Sequence, residues 1–214
     1  MFVRERLLKR GGPRLKPDRT SLQLKRADCE KVLRAAQAAN DSGRPLNRFI
    51  TLLWETGGID PKENARVTGK FVKRASEWAR RNGYILTWVW VQEWGSAKGA
   101  HIHLLLHVPI YLDRHFRTMP LKWVKHLLPG PYIKSVLQSQ KISSDFSEAD
   151  HSIFYDYNLM EKLHYILKYA PAEYEAEFGA AVFRAHFSKD WGRKGRVFGK
   201  RAAVWQGWRR SLKS

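Results

Sequence analysis

Seven residues, Trp94-Gly-Ser-Ala-Lys-Gly-Ala100, separate two stretches rich in β-branched, aromatic and aliphatic residues, Tyr84–Glu93 and His101–Val108. A parallel crossover needs a dozen residues or more, so strands joined this closely must pair antiparallel. Side chains alternate along a strand, which puts His101, His103, Leu105 and His107 on one face. Ile102, Leu104 and Leu106 then face the core. His101 and His103 lie about 7 Å apart along the strand, close enough for both imidazoles to reach one ion. His107 is about 13 Å beyond His103 and is left to structure or to a DNA contact.

Such a pair needs a third ligand, and residues directly opposite each other across the hairpin share a face. A turn centred on Ala97 sets Glu93 opposite His101, and one centred on Lys98 sets it opposite His103. A register slipped by one residue presents Gln92 instead. Two imidazoles and a carboxylate leave coordination positions open, as catalytic rather than closed structural sites do.

Around this hairpin the pattern reads α+β, a central antiparallel sheet of about five strands flanked by helices. Helical spacing runs from Thr20 to about Asn40, from about Glu63 to Arg81, over Leu121–Leu128 and from Leu159 to Ala170. Arg48–Trp54 reads as a strand, and Tyr132–Ser143 is ambiguous. Tryptophans 54, 78, 88 and 90 read as core or rim.

Charge divides the chain differently. Of the net +19, residues 1–48 hold 13 basic and 5 acidic groups, and residues 184–214 hold 10 and 1. The centre is nearly neutral. We expect a basic N-terminal arm and helix (1–45), a folded core (46–183) and a basic aromatic tail (184–214). Basic ends on a neutral body suit a nucleic acid partner. Trp94, Trp191, Trp205 and Trp208, interleaved with Arg and Lys from Arg193 to Arg210, suit the stacking of unpaired bases. The Gly-rich stretch from Gly192 to Arg201 reads either as a phosphate-gripping loop or as a solvated tail. No apolar run is long enough to span a membrane. The single cysteine, Cys29, excludes an intramolecular disulfide and fits a reducing cytoplasm.

In Leu159–Ala170, Tyr165 and Tyr169 stand one helical turn apart on one face, with Lys168 beside them. A phenol is a poor nucleophile at its free pKa near 10. Lys168 can help by lowering that pKa or by stabilising charge on a phosphate.

Three segments together resemble the HUH endonucleases of the rolling-circle replication initiator (Rep) type, in that family's order. Phe49-Ile-Thr-Leu-Leu53 resembles its first motif, although Leu53-Trp54 replace the usual second Thr, and no catalytic role is assigned there. His101-Ile-His-Leu-Leu-Leu106 resembles the second. Tyr165-Ile-Leu-Lys-Tyr169 resembles the third, in the Tyr-x-x-Lys-Tyr form known from single-stranded phage gene A proteins.

The resemblance covers roughly residues 47–170 and implies an RRM-like palm. It further implies Mg2+ or Mn2+ held by Glu93, His101 and His103. Tyr165 would attack single-stranded or stem-loop origin DNA to give a 5′-phosphotyrosine, with Tyr169 available as a second nucleophile. The implied activity is nicking and joining that begins rolling-circle replication of a plasmid or phage. A transposase or mobilisation relaxase using the same chemistry, or an idle DNA-binding relative, are the alternatives. No Gly-x-x-x-x-Gly-Lys-Ser/Thr segment is present, so unwinding falls to a separate helicase.

Overall fold

The computed structural model describes residues 18–95, 98–142, 153–174, 176–178 and 196–211. A two-residue strand, β1 (Thr20–Ser21), precedes α1 (Arg26–Asp41), whose Cys29, Val32, Ala36 and Ala39 form one buried stripe. β2 (Arg48–Leu52) and α2 (Asn64–Arg81) follow, then the hairpin of β3 (Trp88–Gly95) and β4 (Gly99–Leu106). Two short helices, α3 (Asp113–Phe116) and α4 (Met119–Leu127), lead to β5 (Leu137–Lys141) and α5 (Ile153–Leu167). The chain closes with β6 (Val197–Phe198), β7 (Ala202–Val204) and α6 (Trp208–Ser211).

The fold is α+β, as the pattern implies. Its main sheet has five strands in the order β5-β2-β4-β3-β7, every pairing antiparallel. β1 and β6 form a separate two-stranded ribbon. Even-numbered residues of β2, β3 and β4 (Ile50, Leu52, Trp90, Ile102, Leu104, Leu106) pack on Phe71, Ala75 and Trp78 of α2 and Trp123 of α4. Odd-numbered residues (Phe49, Val89, Val91, Leu105) pack on α1 and α5.

The histidine side of the hairpin is therefore covered as well. Helices lie on both faces of the sheet, so its central strands are buried on both. His107 is buried, with Nδ1 2.8 Å from the Pro45 carbonyl and its ring edge-on to Tyr84. That is a structural setting.

Several boundaries shift. Tyr84–Thr87 has strand-forming composition but lies outside β3, while the hairpin strands run on to Gly95 and Gly99. α5 begins six residues before the apolar spacing suggests and stops at Leu167, so Lys168 and Tyr169 are not helical. Pro171 explains the early stop, since the residue before a proline is pushed out of the helical region.

The C-terminal stretch departs most from expectation. β7 pairs with β3, setting Val89 opposite Val204 and Val91 opposite Ala202. Trp205, expected to stack on bases, is instead buried against α1 and donates its indole N–H to the Ala35 carbonyl at 3.1 Å. Arg201 is only 5% exposed. Trp54, Trp78 and Trp90 are core residues and Trp88 is partly buried, as expected. The arm up to residue 17, the turn residues Ser96 and Ala97, and the run from Trp191 to Gly195 lie outside the described residues.

Candidate functional site

The hairpin register sets Glu93 directly opposite His101, the arrangement of a turn centred on Ala97. Pleating then brings His103, two residues on, to the same side. All three side chains are buried, and one ligand atom from each lies within 4.8 Å of the others. Glu93 Oε1 is 2.6 Å from His101 Nε2 and 2.8 Å from His103 Nε2. No other such cluster of three occurs among the described residues. Gln92 is buried on the opposite face of β3, so the slipped register is not adopted.

The remaining ring nitrogens fix the chemistry. His101 Nδ1 lies 2.9 Å from the Gly99 carbonyl, which can only accept, so that nitrogen carries the hydrogen. A neutral His101 then turns its Nε2 lone pair toward the carboxylate, two acceptors face to face, which a cation between them resolves. His103 Nδ1 is 3.0 Å from Thr51 Oγ1. Glu93 Oε2 is buried with no hydrogen-bond partner among the described residues. Two inward-facing imidazole nitrogens and an unsatisfied carboxylate oxygen fit a divalent cation. The anchored second nitrogens are the outer-sphere support that such ligands usually have.

Lys168 completes the cluster, with Nζ 2.7 Å from Glu93 Oε1. It can reach because the chain tightens where α5 ends, with Ala170 N–H bonded to the Leu167 carbonyl at 2.8 Å. Burial would raise the Glu93 carboxyl, but His103, His101 and Lys168 outweigh it and hold the group well below the usual carboxylate range. Burial brings His103 down to about 4 despite Glu93, so its imidazole is neutral at neutral pH. Lys168 is lowered too, again by burial, with Glu93 opposing.

Tyr165 lies over this cluster. Its ring centroid is 5.1 Å from that of His103, edge-on, and Lys168 Nζ is 3.6 Å from the Tyr165 centroid. The buried stripe of α5, Leu159, Leu163 and Ile166, holds that face of the helix against the sheet. Each such side chain contributes about 2 kcal/mol by burial. The Tyr165 hydroxyl is pushed up rather than down, first by burial and then by the charge of Glu93. With Lys168 against the ring face and bonded to Glu93, its charge is placed to act on a phosphate. Tyr169 donates its hydroxyl to the Trp94 carbonyl at 3.0 Å, next to Glu93 in β3.

Three residues at this site escaped the sequence reading. Thr51 bonds His103, and Phe49 stacks on the His103 ring at 5.2 Å and 18°. Both belong to the strand to which no role was given. A lone hydroxyl in an apolar strand was the available signal, because a buried hydroxyl requires a partner. The third, Arg201, sits 5.6 Å from the Tyr169 ring centroid. Nothing in its sequence neighbourhood distinguishes it from the other basic residues of the C-terminal stretch.

Residues 47–173, more than half of the chain and including every residue of this cluster except Arg201, match the family model of the replication-associated protein ORF2/gene 2 protein. No curated protein and no solved structure shows significant similarity to the chain. The chain belongs to this replication-associated protein family.

Proposed function

We propose that this member of the replication-associated protein family is a metal-dependent endonuclease that nicks and rejoins one DNA strand, starting rolling-circle replication of a plasmid or phage. The observation that carries this reading is the Tyr165 ring resting edge-on against His103, inside a buried Glu93–His101–His103 cluster. Mg2+ or Mn2+ held by those three residues would polarise the scissile phosphate.

Tyr165 attacks phosphorus in line. Its Oη–P bond forms as the P–O3′ bond breaks, the phenol proton is lost to solvent, and the departing 3′ oxygen gains one. The products are a 5′-phosphotyrosine and a free 3′-hydroxyl, the polarity that the HUH resemblance implies. Since burial disfavours a free phenolate, the proton must leave as the new bond forms, and the Lys168 ammonium offsets the developing charge. The adduct conserves the phosphodiester bond, so a 3′-hydroxyl can reverse the step and ligate. Tyr169 serves as a second nucleophile once its hydroxyl leaves the Trp94 carbonyl. Single-stranded or stem-loop origin DNA is the substrate, with a separate helicase to unwind it.

The chain should be incubated with Mn2+ and a stem-loop oligonucleotide from the origin of its own replicon. A denaturant-resistant adduct is expected, with the DNA attached to the peptide bearing Tyr165. Tyr165→Phe should abolish it or move it to Tyr169. An adduct that persists in the double Tyr→Phe variant overturns the assignment.

A further inference from the structure

Beside the candidate site, the β1–β6 ribbon and the start of α1 enclose a cavity of about 280 Å³. Arg19, Lys25, Lys200 and Arg201 line it, against one carboxylate, Asp28. Asp28 is already paired with Lys31 at 2.9 Å, so the cavity keeps a clear excess of positive charge. The ribbon is closed by the Gly199 N–H, which bonds the Arg19 carbonyl at 2.7 Å.

Arg201 is the informative member. Its Nη1 donates to the Ser21 carbonyl at 2.9 Å and lies 3.3 Å from Ser21 Oγ. Its Nε is buried without a hydrogen-bond partner among the described residues. A buried guanidinium with an unused donor is costly unless an acceptor arrives. Burial also weakens the hold of the Lys200 ammonium on its proton, and neighbouring Lys31 adds to this. An anion would relieve both. The volume falls just below that of ordinary small-molecule pockets, which suits one phosphate with part of its sugar.

The cavity adjoins the candidate site through the same side chain. Arg201 reaches the Tyr169 ring, and its carbonyl accepts from the Gln92 N–H at 2.8 Å, one residue from Glu93. We infer that this cavity binds a backbone phosphate of the DNA strand engaged at the Glu93–His101–His103 cluster, through Arg201, Lys200, Lys25 and Arg19. The inference rests on the DNA reading above and adds a contact from outside the family-matched residues. A strand phosphate seated there fixes how the DNA passes Tyr169.

The test measures affinity of the full chain for a 20-nucleotide oligothymidylate in chelator, where no cutting occurs. Lys25→Ala with Lys200→Ala removes two exposed cations of the cavity, and Lys70→Ala with Lys122→Ala removes two from the opposite side of the sheet. The cavity pair should weaken binding about tenfold and lower the salt slope by about 0.7, one single-strand phosphate contact. The control pair should change affinity less than twofold. Equal effects of the two pairs overturn the inference, as does failure of the unmodified chain to bind the oligonucleotide at low salt. Inorganic phosphate that binds at micromolar concentration, while oligonucleotide affinity is indifferent to the cavity pair, assigns the cavity to a free anion and overturns the strand assignment. Because chelator separates binding from cutting, an adduct without a cavity effect sinks this inference alone. A cavity effect with no adduct under Mn2+ sinks only the nuclease reading.

Discussion

Glu93 Oε1 draws three nitrogens, from His101, His103 and Lys168, while Oε2 has no hydrogen-bond partner among the described residues. That imbalance makes the cluster sensitive to an added cation. Mn2+ at a hundred times its dissociation constant should stabilise the folded chain by about 2.7 kcal/mol. For a chain of this size the melting temperature should then rise by several degrees, on the order of 5–10 °C. Glu93→Gln or His103→Ala should lose the Mn2+-dependent rise, and chelator should reverse it in the unmodified chain. A rise of equal size in Glu93→Gln would place the ion elsewhere. Much of this site was legible at the scale of single residues, because strand alternation and cross-strand pairing fix which side chains share a face. The supporting contacts of Thr51 and Phe49 were not, since they depend on β2 lying beside β4.

Among the elements, the least expected link ties the start of β2 to α3 and β5. Arg48 of β2 pairs with Asp113 of α3, which also meets Lys141 of β5 at 3.0 Å and Arg117 at 3.1 Å. Burial would raise the Asp113 carboxyl, but Lys141, Arg117 and Arg48 together bring it down to about 2. A carboxyl depressed in the folded chain stabilises above its unfolded pKa near 4, and that contribution fades as the pH falls toward 2. Asp113→Asn should therefore cost about 1–2 kcal/mol at pH 7 in denaturant titrations, with the gap from the unmodified chain closing near pH 2. A gap independent of pH would mean the ion pairs contribute nothing net. The periodicities that located α2, β2 and the hairpin were read correctly because each has one dominant spacing. The end of α5 was misread because Ile166, Leu167 and Ala170 continue the apolar pattern past the point where Pro171 turns the backbone.

Across the whole molecule, charge and fold do not divide the chain at the same places. The C-terminal stretch carries strong positive charge, yet it supplies β7, Trp205 and the buried Arg201. Composition could not reveal this, because a three-residue strand leaves almost no periodic signal and arginines read alike whether solvated or enclosed. Removing residues 196–214 should thus lower the melting temperature by ten degrees or more or abolish folding, because it exposes β3 and the Trp205 pocket on α1. Removing residues 1–17 should mainly weaken single-stranded DNA binding and flatten its salt dependence. Undiminished thermal stability after the C-terminal deletion would contradict the sheet order.

The position of β7 also sets a timetable for synthesis. The strand bearing Glu93 gains its second neighbour only when translation has passed Val204, more than a hundred residues after the carboxylate itself is made. A nascent or prematurely terminated chain holds that acid on an open sheet edge, so the proposed cutting centre is assembled late, once both flanking strands have left the ribosome.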